Sequence, residues 1–306
     1  MIGQHQVECP AWMLQAAKRA DGNAVRTGIV NAVNRVVLES TRDAMAAGAI
    51  EPVLIGAPDV IRREAEAIGF DIATLEIMPA DGEEEAAHVG AAAAGDGRLA
   101  ALMKGHLHTD IFMRAVLNKD AGLRIGTPLS HVFHLTMAGR SGSLILSDCA
   151  LNPAPDVELR KAIITNAVKV AQATGITRPK VALLSATEVE SPRIPSTTDS
   201  AALTAWAGDA VPDAEVSGPL AFDLAVSEDA VRVKGIDDPV AGAADIVIVP
   251  EIVSGNALYK GLVHFAGACA AGLVLGAKVP ILLTSRADPP AARLASAALL
   301  GIVANS

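Results

Sequence analysis

A chain of 306 residues exceeds the size at which one hydrophobic core stops growing, so its length predicts two domains or one large α/β domain. A hydrophobic fraction of 51 % separates it from disordered chains. A net charge of -9 with only 3 % aromatic residues argues against nucleic acid, which needs a concentrated basic face or stacking platforms.

The three cysteines, Cys9, Cys149 and Cys269, are odd in number, widely spaced and without a CxxC pair. That speaks against a disulfide framework or a zinc knuckle and fits a reducing cytoplasm. The start "MIGQHQVECP" has neither the basic opening nor the apolar core of a signal peptide.

Along the chain, short apolar runs alternate with stretches of helical spacing. The runs predict strands over 27–32, 52–56, 75–78, 132–137, 144–147, 180–186, 245–250 and 280–285. The spacing between them predicts helices over 35–47, 58–68, 83–94, 109–119, 156–174, 198–207, 255–276 and 290–303. This alternation is the sequence form of mostly parallel sheets with helices on both faces. The longest apolar stretch, "FAGACAAGLVLGA", is closed by Lys278 and Pro280 and falls short of the roughly 20 residues a membrane span needs, so no membrane partner is expected. "AGRSGS" at 138–143 parts two strand signals and reads as a hairpin loop where the chain leaves a first lobe, 1–137, for a second beginning at 138. Ligands favour clefts between lobes and the carboxyl ends of parallel strands.

Several segments carry chemistry. "GDGRLA" at 95–100 fits the loose dinucleotide pattern but follows a helical alanine run, so a helix-terminating loop is expected. In "KGHLHTD", Lys104, His108 and Thr109 lie where a loop enters a helix. Thr109 reads as its cap, and the loop reads as a substrate contact. His106 and His108 alternate as metal ligands can, but no second cluster completes a site, and no metal is expected. Cys149 in "SDCALNPAPD" reads as a packed small residue. "IPSTTDSAAL" and "VPEIVSGNALYKGL" each open a helix with small polar residues. Ser196, Thr197 or Thr198, and Ser254 or Gly255, are the natural caps, beside amides that suit phosphate oxygens. Asn256, Tyr259 and Lys260 share one helix face.

The segment "VPILLTSRADPP" sets Ser285 and Arg286 at the end of a strand, where an open α/β sheet takes its ligand. An Arg there can grip a phosphoryl group with two hydrogen bonds. Asp288, followed by proline, reads either as a helix cap or as a catalytic group.

From Lys104 onward, "MKGHLHTD", "DCALNPAPD", "IPSTTDSAAL", "GPLAFDLAVS", "DIVIVPEIVSGNALYKGL" and "PILLTSRAD" resemble the phosphate acetyl/butyryltransferase family, its butyryltransferase-like branch above all. The resemblance implies reversible transfer of a short acyl group, butyryl or acetyl, between coenzyme A and inorganic phosphate, with coenzyme A as a substrate and no cofactor or metal. It implies a two-lobed fold similar to that of isocitrate and isopropylmalate dehydrogenases, usually a homodimer. The C-terminal segment, 272–306, would return to the first lobe, leaving 138–271 as the second. It also implies direct thiolate attack on the acyl phosphate in a ternary complex, with Ser285 holding the thiol or the developing charge and Arg286 the phosphate and carbonyl oxygens, in keeping with oxyanion stabilisation. The acetyltransferases place a general-base Asp seven residues after that Ser. Ala292 stands there, and Asp288 is the nearest substitute. The alternative is a catalytically weakened protein of the same fold that binds coenzyme A or acyl phosphate.

Overall fold

Parallel strands covered on both faces need continuous apolar runs, and the best-buried strands of this chain are such runs. In the computed structural model, which describes residues 7–18, 24–138, 142–283 and 288–306, they belong to two compact units. The chain leaves the first unit between Thr127 and Pro128 and re-enters it between Ala268 and Cys269.

The first unit begins with α1 (Ala11–Ala17), β1 (Val25–Val30), α2 (Arg35–Ala46), β2 (Ile50–Gly56), α3 (Pro58–Ala67) and β3 (Ile77–Pro79). It continues through α4 (Gly82–Gly95), β4 (Ala101–Lys104) and α5 (Thr109–Leu117). The second unit holds β5 (Ser130–Thr136), β6 (Ser143–Ser147), α6 (Val157–Ala173), β7 (Lys180–Leu184), α7 (Pro195–Ala210) and β8 (Glu215–Leu220). It closes with α8 (Phe222–Val226), α9 (Glu228–Lys234), β9 (Ile246–Ile248) and α10 (Ile252–Phe265). The chain then returns with β10 (Cys269–Leu275), β11 (Ile281–Leu282) and α11 (Pro290–Ala304).

Within the first unit the strand order is β3-β2-β1-β4-β11-β10, parallel except for β10. Within the second it is β5-β6-β9-β7-β8, parallel except for β5. The α/β class with mostly parallel strands is as expected, and β5 and β6 form the expected antiparallel hairpin. Its residues 139–141 lie outside the described ones. The alanine-rich α4 buries Ala86, Ala87, Ala91, Ala93 and Ala94. Side chains that small let a helix approach the sheet closely.

Some elements differ from expectation for clear reasons. The expected helix over 255–276 is two elements: α10 ends at Phe265, Gly267 turns with φ +65, and the apolar run that follows is β10. Nearly every residue of β10 is buried, so it has no alternation to mark it as a strand. β4, "ALMK", is made of good helix formers and is a strand only because it is fully buried between β1 and β11. β8, "EVSGPL", is hidden by its glycine and proline, which an edge strand tolerates. "GDGRLA" ends α4 as a helix-terminating loop, with Gly97 at φ +78, and leads into β4. No helix among the described residues is long and apolar enough to cross a membrane.

Candidate active site

In the first unit, the register sets Val30 beside Lys104 and Leu282 beside Met103, so β1, β4 and β11 end at one edge. Lys104 is buried at the last position of β4. The turn after it lies against the turn after β1: the Gly105 amide donates to the Val30 carbonyl (2.9 Å) and the His106 amide to the Asn31 carbonyl (3.0 Å). A Cβ on Gly105 would stand 2.4 Å from the Val30 oxygen, so only glycine fits. Asn31, buried and at φ +57, closes the junction by donating from Nδ2 to the His106 carbonyl (2.5 Å). Asn is among the few side chains that tolerate this backbone region.

The cap of α5 is His108, with Thr109 as the first helical residue, which corrects the expectation that Thr109 caps. Glu83, in the first turn of α4, accepts from the His108 amide (2.8 Å) and is paired with His108 Nδ1 (2.7 Å). Burial works to raise the Glu83 carboxyl, but the hydrogen bonds from His108 and the charges of His108 and His106 outweigh it and hold it below the ordinary carboxylate value.

Ser285 and Arg286 lie outside the described residues. Asp288 follows them, half-buried, but the cap position of α11 belongs to Pro289. The Asp288 backbone carbonyl accepts from Arg293 Nη1 (2.5 Å), and Arg293 Nε donates to Ser40 Oγ on α2 (2.7 Å). Ala292 is buried in the first turn of α11.

In the second unit, β6, β9 and β7 end together. Asp148, 2 % exposed, follows β6 and accepts from the amides of His131 (3.1 Å), Ala150 (3.0 Å) and Leu151 (2.9 Å) and from Asn152 Nδ2 (2.6 Å). Beside it, burial holds His131 down to about 4, with Asp148 countering in part. Arg160, 5 % exposed, donates from Nη2 to the Pro250 carbonyl (2.5 Å) and lies 3.6 Å from Asp199 on α7. It ties α6 to the starts of α7 and α10.

α7 begins at Pro195 with Ile194 in the cap position, so Ser196 and Thr197 sit in its first turn and not at the cap. Ser196 shares a hydrogen bond with the Ser185 hydroxyl (2.8 Å). Thr197 is buried, its hydroxyl accepting from the Ser191 amide (2.8 Å) and donating back into the same turn, to the Ile194 carbonyl (2.8 Å). α10 also begins earlier than expected, and its cap is Glu251, not Ser254 or Gly255. The Glu251 carboxylate accepts from the amides of Val253 and Ser254, both at 2.7 Å. Hydrogen bonding from Ser254 is the main cause of its lowered pKa.

Asn256 donates to the Cys149 carbonyl (3.4 Å), and Tyr259 stacks on Phe133 with centroids 3.9 Å apart, while Lys260 is exposed. A Cβ on Gly255 would lie 2.7 Å from Val249 and 3.1 Å from Cys149, so glycine lets α10 approach this edge. Cys149 is packed, as expected, and burial pushes its thiol up. Burial also raises Cys9 to about 11 and Cys269 to about 12. Among the described residues no group of His, Cys, Asp and Glu is arranged to hold a metal ion.

Sequence reasoning missed Asn31, Glu83, Arg160, Glu251 and Arg293. Only Asn31, a small amide just after a strand, carried a local signal.

A family model described as "Phosphate acetyl/butaryl transferase" matches residues 82–300. A phosphate acetyltransferase of Rhizobium meliloti is 41 % identical over 292 residues, covering 95 % of this chain and 92 % of that protein. A phosphate butyryltransferase of Clostridium acetobutylicum is 38 % identical over 282 residues, covering 92 % and 94 %. Among solved structures, a branched-chain phosphotransacylase from Enterococcus faecalis V583 superposes with a TM-score of 0.80 at 31 % identity, covering 90 % of this chain and 99 % of that one.

Proposed function

This chain belongs to the phosphate acetyl/butyryltransferase family and is a phosphate acyltransferase, and from that premise we propose that it moves a short acyl group, butyryl or acetyl, by direct attack of the coenzyme A thiolate on acyl phosphate. Coenzyme A, acyl phosphate and inorganic phosphate are its substrates and products. In the direction of acyl-CoA synthesis, the thiol proton passes to a base, the sulfur attacks the carbonyl carbon, and the carbonyl oxygen takes up negative charge. The C–O bond to phosphorus-bound oxygen then breaks, and inorganic phosphate leaves with the bonding pair. The carbonyl re-forms as a thioester.

Arg286 neutralises the phosphate and the developing oxyanion, Ser285 donates to the same charge or holds the thiol, and Asp288 takes the proton. Lys104, His108 and Thr109 at one edge, and Ser196, Thr197, Asn256, Tyr259 and Lys260 at the other, are the proposed substrate contacts. No metal or cofactor takes part, and the protein works as a homodimer in the cytoplasm.

The observation that carries the direct route is the state of the enzyme's thiols. The chain has three cysteines, and burial holds every one of them above its ordinary value. A thiol held above its ordinary value by burial is a poor nucleophile, which supports the sulfur of coenzyme A, over an acyl-cysteine intermediate, as the attacking group.

Kinetics test this. Arg286→Ala should lower phosphate-dependent turnover by about 10² to 10³ with the fold intact, as loss of an oxyanion donor does. Unchanged kinetics would overturn the assignment. Asp288→Asn should lower kcat at nearly unchanged stability. Retained rate removes Asp288 as the base.

A further inference from the structure

We propose that Arg293 is a positioning residue for Asp288, a role that rests on the reading of Asp288 as the base. Asp288 is followed by Pro289 and Pro290, neither of which has an N–H. The backbone entering α11 therefore has no amide donors at these two positions, and its cap residue, Pro289, makes no side-chain hydrogen bond.

The Asp288 carbonyl is met by a side-chain donor one turn further along. Arg293 spans the gap with a fixed fork: Nη1 donates to the Asp288 carbonyl (2.5 Å) while Nε donates to Ser40 Oγ (2.7 Å). Ser40 is itself committed, since its hydroxyl donates to the Val36 carbonyl (2.8 Å), so the oxygen it presents to Arg293 is an acceptor with a set direction. The guanidinium thus ties the peptide of Asp288 to α2 as well as to α11. The planar fork makes both bonds at once, whereas a lysine ammonium on a flexible stem reaches one of them well. The position of Asp288 against the reacting thiol is thereby set by a side chain that touches no substrate. Arg293 is also the residue next to Ala292, the position where the acetyltransferases carry their base.

The experiment combines steady-state kinetics of Arg293→Met, Arg293→Lys and Ser40→Ala, in the native and the Asp288→Asn backgrounds, with amide hydrogen exchange of the intact protein. Arg293→Met should lower kcat by about 10- to 100-fold with KM for acyl-CoA and phosphate within about twofold, as a misplaced catalytic group does. Arg293→Lys should recover part of the rate, and Ser40→Ala should cost about threefold or less. On Asp288→Asn, Arg293→Met should cost less than about a further twofold, because both act through one group. Exchange should rise in the peptide spanning Asp288 to Arg293 and stay unchanged in β1 and β2. Full kcat in Arg293→Met, a multiplicative loss on Asp288→Asn, or unchanged exchange of the Ala292 and Arg293 amides would each overturn the proposal. If native protein shows no phosphate-dependent transfer, the proposed function fails on that result alone, and exchange still decides the role of Arg293.

Discussion

At the carboxyl edge of the second unit two charged groups are sealed in. Asp148 gives both oxygens to hydrogen-bond donors while 2 % exposed, and Arg160 reaches two neighbouring segments while 5 % exposed. At the corresponding edge of the first unit, beside the buried Asn31 and Lys104, two ties are open to solvent. The Glu83 side chain is 27 % exposed and its partner His108 70 %, and Arg293 is half-buried. Buried polar contacts are strong because nothing replaces a lost partner, whereas water can take over an exposed one. The second edge is therefore a scaffold whose changes should register in stability. The first is a place where changes should register mainly in rate.

The sharpest break of that contrast is Asp148→Ala. It strands the amide of His131 in a buried site and those of Ala150 and Leu151 at its rim, and should cost about 3 kcal/mol in chemical denaturation. A loss under about 1 kcal/mol would mean that this edge is as forgiving as the other.

Next in size is a pH effect. Burial lowers His131 and His134 from 6.5 to about 4 in the folded chain. Between those values the unfolded chain binds more protons, so stability is fully present above about 6.5 and falls as pH drops toward 4. A shift of this size corresponds to roughly 3 kcal/mol for each histidine at its limit. Denaturation midpoints across this window should fall steadily in the native protein and less steeply in His131→Gln. An equal slope in both would remove His131 from the account.

The contrast between the buried and the exposed edge is only partly legible in the sequence. Periodicity found most of the parallel strands and the β5–β6 hairpin, because those runs are apolar, short and bounded by turn residues. It lost β10, whose alanines and leucines suit a helix and whose burial on both faces removes alternation. The sequence pattern sets the helix starts later than Pro195 and Ile252, because small hydroxyl residues resemble caps, whereas Ile194 and the long carboxylate of Glu251 hold those positions. The loop after β4 and the helix bearing Asn256 were found from local composition. The residues that brace them were not, since Glu83 meets His108 across 25 positions and Arg293 meets Ser40 across 253. No local pattern carries a pairing of that kind; it exists only once parallel strands bring their ends to one edge.

The smallest predicted effect tests the open side of the contrast. Glu83→Gln keeps an acceptor for the His108 amide but removes the charge opposite its ring. Because both groups are solvent-accessible, the cost in stability at neutral pH should be under about 1 kcal/mol. The native Glu83 carboxyl titrates below its ordinary value, so its contribution is present above about 4.5 and lost as the pH falls through the folded value. The variant should lack that acid component. If the turn from Lys104 to Thr109 contacts substrate, KM for phosphate or acyl-CoA should rise by a few fold while kcat changes less, the mark of lost uniform binding. An unchanged KM with the same small loss of stability would make this turn a brace for α5 alone. The exposed edge would then owe its chemistry to the segment between β11 and α11.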